Sequence, residues 1–201
     1  KRGLDYHCKK TGESTMSETL VGIMNNESSA LDPKLMREII NSLGEETAYP
    51  PVRHMVRDWN PAFGSCVPAT VVYIAIKELE DSDSVMKAFL VRDLEQEGTP
   101  IEAHFVMTDG KSCVVDFTPA KHGEGEFALY SDQETSELIE DMLSEETLPQ
   151  RVGVVLERIG SQYDVDSIFT AFRRALKKGG AAEMDRNKVK ETLVEFWQHR
   201  I

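Results

Sequence analysis

Apolar positions along the chain keep two rhythms, a helical one at both ends and a strand-like one in the middle. Leu20, Val21, Ile23 and Met24 predict a helix over residues 17–25. Leu35, Met36, Ile39, Ile40 and Leu43 predict a second, with Asp32 as N-cap, Pro33 in its first turn and Gly44 as its stop. Tyr49-Pro50-Pro51 reads as a linker into residues 52–59, after which Val67 to Ile76 is apolar almost throughout. With Leu79 it predicts a helix buried on most sides. Strand-like runs follow at residues 85–91, on both sides of Asp109-Gly110, and at residues 127–130.

The helical rhythm then returns. Ser131-Asp132-Gln133-Glu134 is a capping-box pattern ahead of Leu138, Ile139, Met142 and Leu143. Residues 152–159 fit a short apolar helix or a strand equally well. Asp166 is the expected cap of a helix carrying Ile168, Phe169, Phe172 and Leu176 and ending at Gly179-Gly180. A last helix over residues 185–200 presents Val189, Leu193, Phe196 and Trp197 at helical spacing. Stripes of this kind ordinarily pack on a core, the alternative being a grip on a partner protein. No internal repeat is visible, and residues 1–14 read as a polar tail.

The centre of the chain carries the chemistry. Gly64-Ser65-Cys66 ends a loop and begins the long apolar run, with Pro68 confined to a first helical turn. Cys66 is therefore expected at a helix N-terminus, where unpaired amide N–H groups and the helix dipole favour a thiolate. Downstream, Asp109-Gly110 is a hairpin signal. A three-residue loop with Gly110 left-handed pairs Thr108 with Ser112, Val106 with Val114 and His104 with Asp116. An imidazole and a carboxylate then face one another, and Phe105, Met107, Cys113, Val115 and Phe117 form the core side. A two-residue loop would set His104 against Val115 instead.

Cys, His and Asp in that order, with the Cys opening a helix and the others on adjacent strands, resembles the papain-like superfamily, including its transglutaminase-like branch. Gly64-Ser65-Cys66 is similar to the papain-type nucleophile motif, and His104-Phe105-Val106 and Val115-Asp116-Phe117-Thr118 to transglutaminase-type histidine and aspartate strands. Asn60, six positions ahead of Cys66, stands where papain-like enzymes carry an oxyanion-hole Gln. The resemblance implies an α+β fold, a nucleophile helix packed on a small antiparallel sheet with additional N- and C-terminal helices. Residues 1–50 would be a tail and helices packing on the core, 51–130 the catalytic core, and 131–201 a helical extension of the same domain.

It implies a thiol hydrolase as well. Cys66 would attack an amide carbonyl, His104 would move the proton, and Asp116 would hold the imidazole. The Cys66 N–H and the Asn60 amide would face the oxyanion, with Trp59, Gly64 and Ser65 on the substrate side. A protease or isopeptidase is the first expectation, a glutamine deamidase or transglutaminase the alternative. An arylamine acetyltransferase type would need an acyl-carrier cofactor, for which the sequence has no binding signature. The remaining reading, from another class, is a non-catalytic protein-binding module.

Composition bounds these readings. The 201 residues, 40% hydrophobic and 29% charged, suit one globular domain. With 23 basic against 35 acidic residues, the net charge of −12 argues against nucleic acid and anionic membrane as partners and favours a basic protein surface. Three cysteines, at 8, 66 and 113, give no disulfide framework, as expected for work in a reducing cytoplasm, native or reached by delivery. No run reaches the length of a membrane span, and Lys1 to Cys8 has neither Met nor a signal-type apolar stretch, as an excised domain or processed chain would. No cofactor or metal is expected: His7-Cys8 lacks a second ligand pair, Asp81-Ser82-Asp83 lacks the rest of a calcium loop, and Glu145-Glu146 and Lys177-Lys178 read as solvated helix-end charges.

Overall fold

A computed structural model describes residues 32–48, 65–83, 85, 87–93, 103–108, 114–115, 117 and 127–198. Helix α1 (Pro33–Ser42) starts as its sequence dictates, since Asp32 Oδ1 accepts from the amides of Lys34 and Leu35 at 3.0 Å each. It ends at Leu43, which turns extended, and Gly44 leads into a single 3₁₀ turn (Glu45–Thr47). The absence of a side chain at Gly44 matters through crowding, because a Cβ there would lie 3.0 Å from Arg158 Nη1.

The long apolar run forms helix α2 (Cys66–Glu80), whose residues from Pro68 to Ile76 are all buried. Strands β1 (Lys87–Asp93), β2 (Ala103–Thr108), β3 (Val114–Val115) and β4 (Phe127–Leu129) follow. They form one antiparallel sheet in the order β3-β2-β1-β4. Helix α3 (Asp132–Leu143) carries the expected capping box, Ser131 and Glu134 each satisfying the other's amide. Residues 152–158 belong to helix α4 (Leu148–Arg158), with Ile159 as its C-cap and Val152 and Val155 turned inward.

Helix α5 (Val165–Gly180) is capped by Asp164, whose side chain accepts from the Ser167 amide at 2.7 Å, and not by the expected Asp166. The two aspartates offer the same chemistry. Capping from Asp164 brings Val165 into the helix, beside Gly153 of α4. The Ser167 amide holds the Asp164 carboxyl below the usual carboxylate range. Helix α6 (Arg186–Gln198) completes the described chain.

The fold is α+β, mostly helical with a small sheet, and β1 explains its layering. Ala88 and Leu90 join a core built from α1, α2, α3, α4 and α5, while Phe89 and Val91 pack with Phe127 of β4 and with Val189 and Leu193 of α6. Successive side chains of a strand point to opposite faces, so the sheet lies between the helical layer and α6. Helix α5 therefore packs on the core, and α6 packs on the far face of the sheet through Val189 and Leu193, the first two positions of its expected stripe.

Charges at the helix ends prove more structural than their sequence suggests. Glu78 of α2, with only 7% of its side chain exposed, is held by Lys178 Nζ at 2.5 Å, and Arg174 Nε lies 3.7 Å away. Lys178 also donates to the Ser82 carbonyl, so it ties α5 to the end of α2. Glu145 pairs at 2.5 Å with the buried Arg151. At the start of α3, Asp132 joins Lys87 of β1 and Arg186 of α6, both at 2.8 Å.

Two outcomes follow from these ion pairs. Lys178→Met strands Glu78 with one distant partner and costs about 2 kcal/mol in urea unfolding, whereas the same change combined with Glu78→Leu is closer to neutral. Pairing of this kind makes stability depend on pH at Asp132, where the Lys87 hydrogen bond chiefly lowers the pKa from 3.8, partial burial opposes it, and the charges of Lys87 and Arg186 add to it. A depressed carboxylate stabilises above its unfolded-state value and loses that contribution as pH falls through its folded-state value. The difference in urea midpoint between wild type and Asp132→Asn should therefore be level near neutrality and shrink below pH 3.8; a difference that persists unchanged there would exclude the carboxylate as its source.

Candidate active site

The start of α2 is fixed from outside the helix. Ser65 at the N-cap is fully buried, and its hydroxyl does not cap the helix. It meets Thr47 Oγ1 at 2.9 Å. Thr47 gives its single proton to the Gly44 carbonyl at 2.8 Å and accepts the Gly44 amide at 2.9 Å, so Ser65 is the donor in the hydroxyl pair. The 3₁₀ turn thereby pins the residue ahead of Cys66.

The first helical hydrogen bond of α2 runs from the Ala69 amide to the Ser65 carbonyl at 3.1 Å. The Cys66 and Val67 amides precede it, and Pro68 has no N–H. Cys66 itself is a free thiol, half-buried, packed at the edge of the main core. A thiol and two helix-start amide donors thus share one turn. Chemically, such a turn can supply a nucleophile and the donors for an oxyanion formed beside it.

Helix α2 lies against β2, the strand that carries His104. Near the middle of the helix, the fully buried Tyr73 accepts the Asp32 amide at 3.1 Å. Its ring meets Phe117 edge-on, with centroids 5.6 Å apart and planes at 61°. The residue following Asp116 is therefore anchored on the helix that Cys66 opens. Asp116, Asn60, Trp59 and Gly64 lie outside the described residues, as do His7, Cys8, Cys113 and the helix expected over residues 17–25.

The hairpin register differs from the expected one. Thr108 pairs with Val114, not Ser112, and Met107 with Val115, a displacement of two residues over the pairs described; the expected His104–Asp116 pair lies outside them, since Asp116 is not among the described residues. Because side chains alternate with period two, an even displacement leaves the paired positions 107, 108, 114 and 115 on their expected faces. The expected loop at Asp109-Gly110 lies outside the described residues.

Register also assigns the faces. His104 is the partner of Val91, and Phe105 of Leu90. Direct partners share a face, and Val91 packs toward α6 whereas Leu90 packs with the core around α2. The backbone thus assigns position 104 to the α6 side, while Cys66 begins the helix on the other. Among the described residues, thiol and position 104 do not meet on one face.

Thr47 is the residue that sequence reasoning misses here: Glu45-Glu46-Thr47 has no motif, and its partner is distant in the chain. No group of three metal-ligating side chains occurs among the described residues, and no helix among them is long and apolar enough to cross a membrane. Comparison with protein-family models, curated proteins and solved structures finds no match.

Thr47→Val leaves the Gly44 amide and the Ser65 hydroxyl without this acceptor and is expected to cost about 2 kcal/mol in urea unfolding, whereas Thr47→Ser keeps the network and costs under about 1 kcal/mol. Equal losses in the two variants would assign the effect to packing instead.

Proposed function

We propose that this chain is a cysteine hydrolase of papain-like, transglutaminase-related design acting on protein amide bonds. The observation that carries the reading is the position of Cys66, a half-buried thiol at the N-terminus of the central buried helix. The Cys-His-Asp order and the likeness of the segments around His104 and Asp116 to transglutaminase-type strands support it.

In this reading the Cys66 thiolate adds to the amide carbonyl, and the helix-start amides, with Asn60, hold the oxyanion. As the C–N bond breaks, His104 gives a proton to the leaving amine and a thioester remains. Water, deprotonated by His104, adds to the thioester, releasing the acid and restoring the thiol. Asp116 orients His104 throughout. If the bond is a backbone or isopeptide amide the enzyme is a protease or isopeptidase. If it is a glutamine side chain the product is glutamate and ammonia, and an amine in place of water gives transglutamination. The reaction requires His104 to meet Cys66 around the end of the sheet.

That requirement gives a second reading its specific support. The pairing of position 104 with Val91 on the α6 side favours a protein-binding module without catalysis, its acidic charge directed at a basic partner.

The two readings separate by experiment. Near pH 6, iodoacetamide should alkylate Cys66 at least about tenfold faster than Cys8 or Cys113 if imidazole holds a thiolate there, and His104→Ala should abolish the difference. Equal rates favour the binding module. Intact-mass and peptide mass spectrometry of cellular proteins incubated with wild type and Cys66→Ala then names the reaction: cleaved peptides, amide-to-acid changes or amine adducts, each absent from the variant.

A further inference from the structure

A second feature stands apart from Cys66. Between β1, α3 and α5 the fold leaves a cleft of about 390 Å³, within the size range of small-molecule sites. Apolar side chains of Ile139 and Leu176 contribute to its lining. Lys87 and Asp132 also line it, but they are joined at 2.8 Å and Asp132 is further held by Arg186, so these charges are satisfied within the protein.

Three observations mark the cleft for an anionic ligand. Arg173 and Lys177, one turn apart on α5, both line it and make no ion pair among the described residues, although the adjacent Arg174 and Lys178 turn to Glu78. Like charges four apart on a helix repel, and an anion between them would reverse that cost. Thr135, only 6% exposed, is among the residues lining the same cleft, and its hydroxyl, buried just behind the lining, has no hydrogen-bond partner among the described residues. A buried hydroxyl left unpaired costs stability, and a ligand oxygen would relieve it. Glu140, exposed at the rim, adds one carboxylate to the lining that can accept from a ligand hydroxyl.

We infer that this cleft binds a small phosphorylated polyol, such as a sugar phosphate. Its phosphate lies between the Arg173 guanidinium and the Lys177 ammonium, the Thr135 hydroxyl donates to a phosphate oxygen, and Glu140 accepts from a ligand hydroxyl. A simple dicarboxylate would offer Glu140 only repulsion, and a neutral sugar would leave both cations unpaired.

Titration calorimetry on the full chain with ribose phosphate, ribose, inorganic phosphate and succinate tests the inference. Ribose phosphate should bind, inorganic phosphate more weakly, and ribose and succinate not detectably. Arg173→Gln combined with Lys177→Gln changes two exposed positions and should weaken ribose phosphate binding at least about tenfold. Thr135→Val should weaken it about threefold; should that variant fail to fold, the exposed double variant carries the test alone. The inference is overturned by ribose phosphate giving no heat, by binding that survives the double variant unchanged, or by succinate binding as tightly as ribose phosphate.

Discussion

Helix α2 has to be buried on nearly every side, and the remaining architecture is the means of burying it. Residues Pro68 to Ile76 leave it no solvent face, and each large aliphatic or aromatic side chain among them gains roughly 1.5–3 kcal/mol when removed from water. Helices α1, α4 and α5 and the sheet surround it. Tyr73 shows the economy of the arrangement: its ring meets Phe117 and its hydroxyl receives the amide at the cap of α1.

Burial of that extent requires every polar group carried inside to find a partner. Glu78 reaches Lys178, and Ser65 reaches Thr47. The second of these has a consequence for chemistry, because anchoring Ser65 sideways, away from the helix cap, leaves the first amides of α2 beside a half-buried thiol. The thiol is thereby tied to the end of a helix that is packed on nearly every side.

The sheet divides the molecule into two environments. On one face β1 joins the core around α2, and on the other it is covered by α6. Whatever the chain does with Cys66 happens at the end of the first environment. The cleft between β1, α3 and α5 draws instead on residues that neither the hydrolase nor the binding-module reading uses, Thr135 and the outward cations of α5.

Sequence by itself determined the features settled within a few residues: the Asp32 and Ser131 caps, the breadth of α2's apolar surface, the stripes of α5 and α6, and which residues of β2 share a face. Caps are hydrogen bonds across two or three residues, and strand alternation is a property of the backbone, so neither waits for the fold. Tertiary structure decided the rest. Asp164 and Asp166 are locally equivalent, and residues 152–159 are ambiguous until α4 packs. The pairing of Glu78 with Lys178 and the hold of Thr47 on Ser65 join residues too far apart in the chain for periodicity to encode, and hairpin register, though local, is one that alternation alone leaves open by steps of two. Likewise the order Cys66, His104, Asp116 is legible in one dimension, but the side of the sheet on which each stands depends on which helix covers which face, a choice made by long-range packing alone.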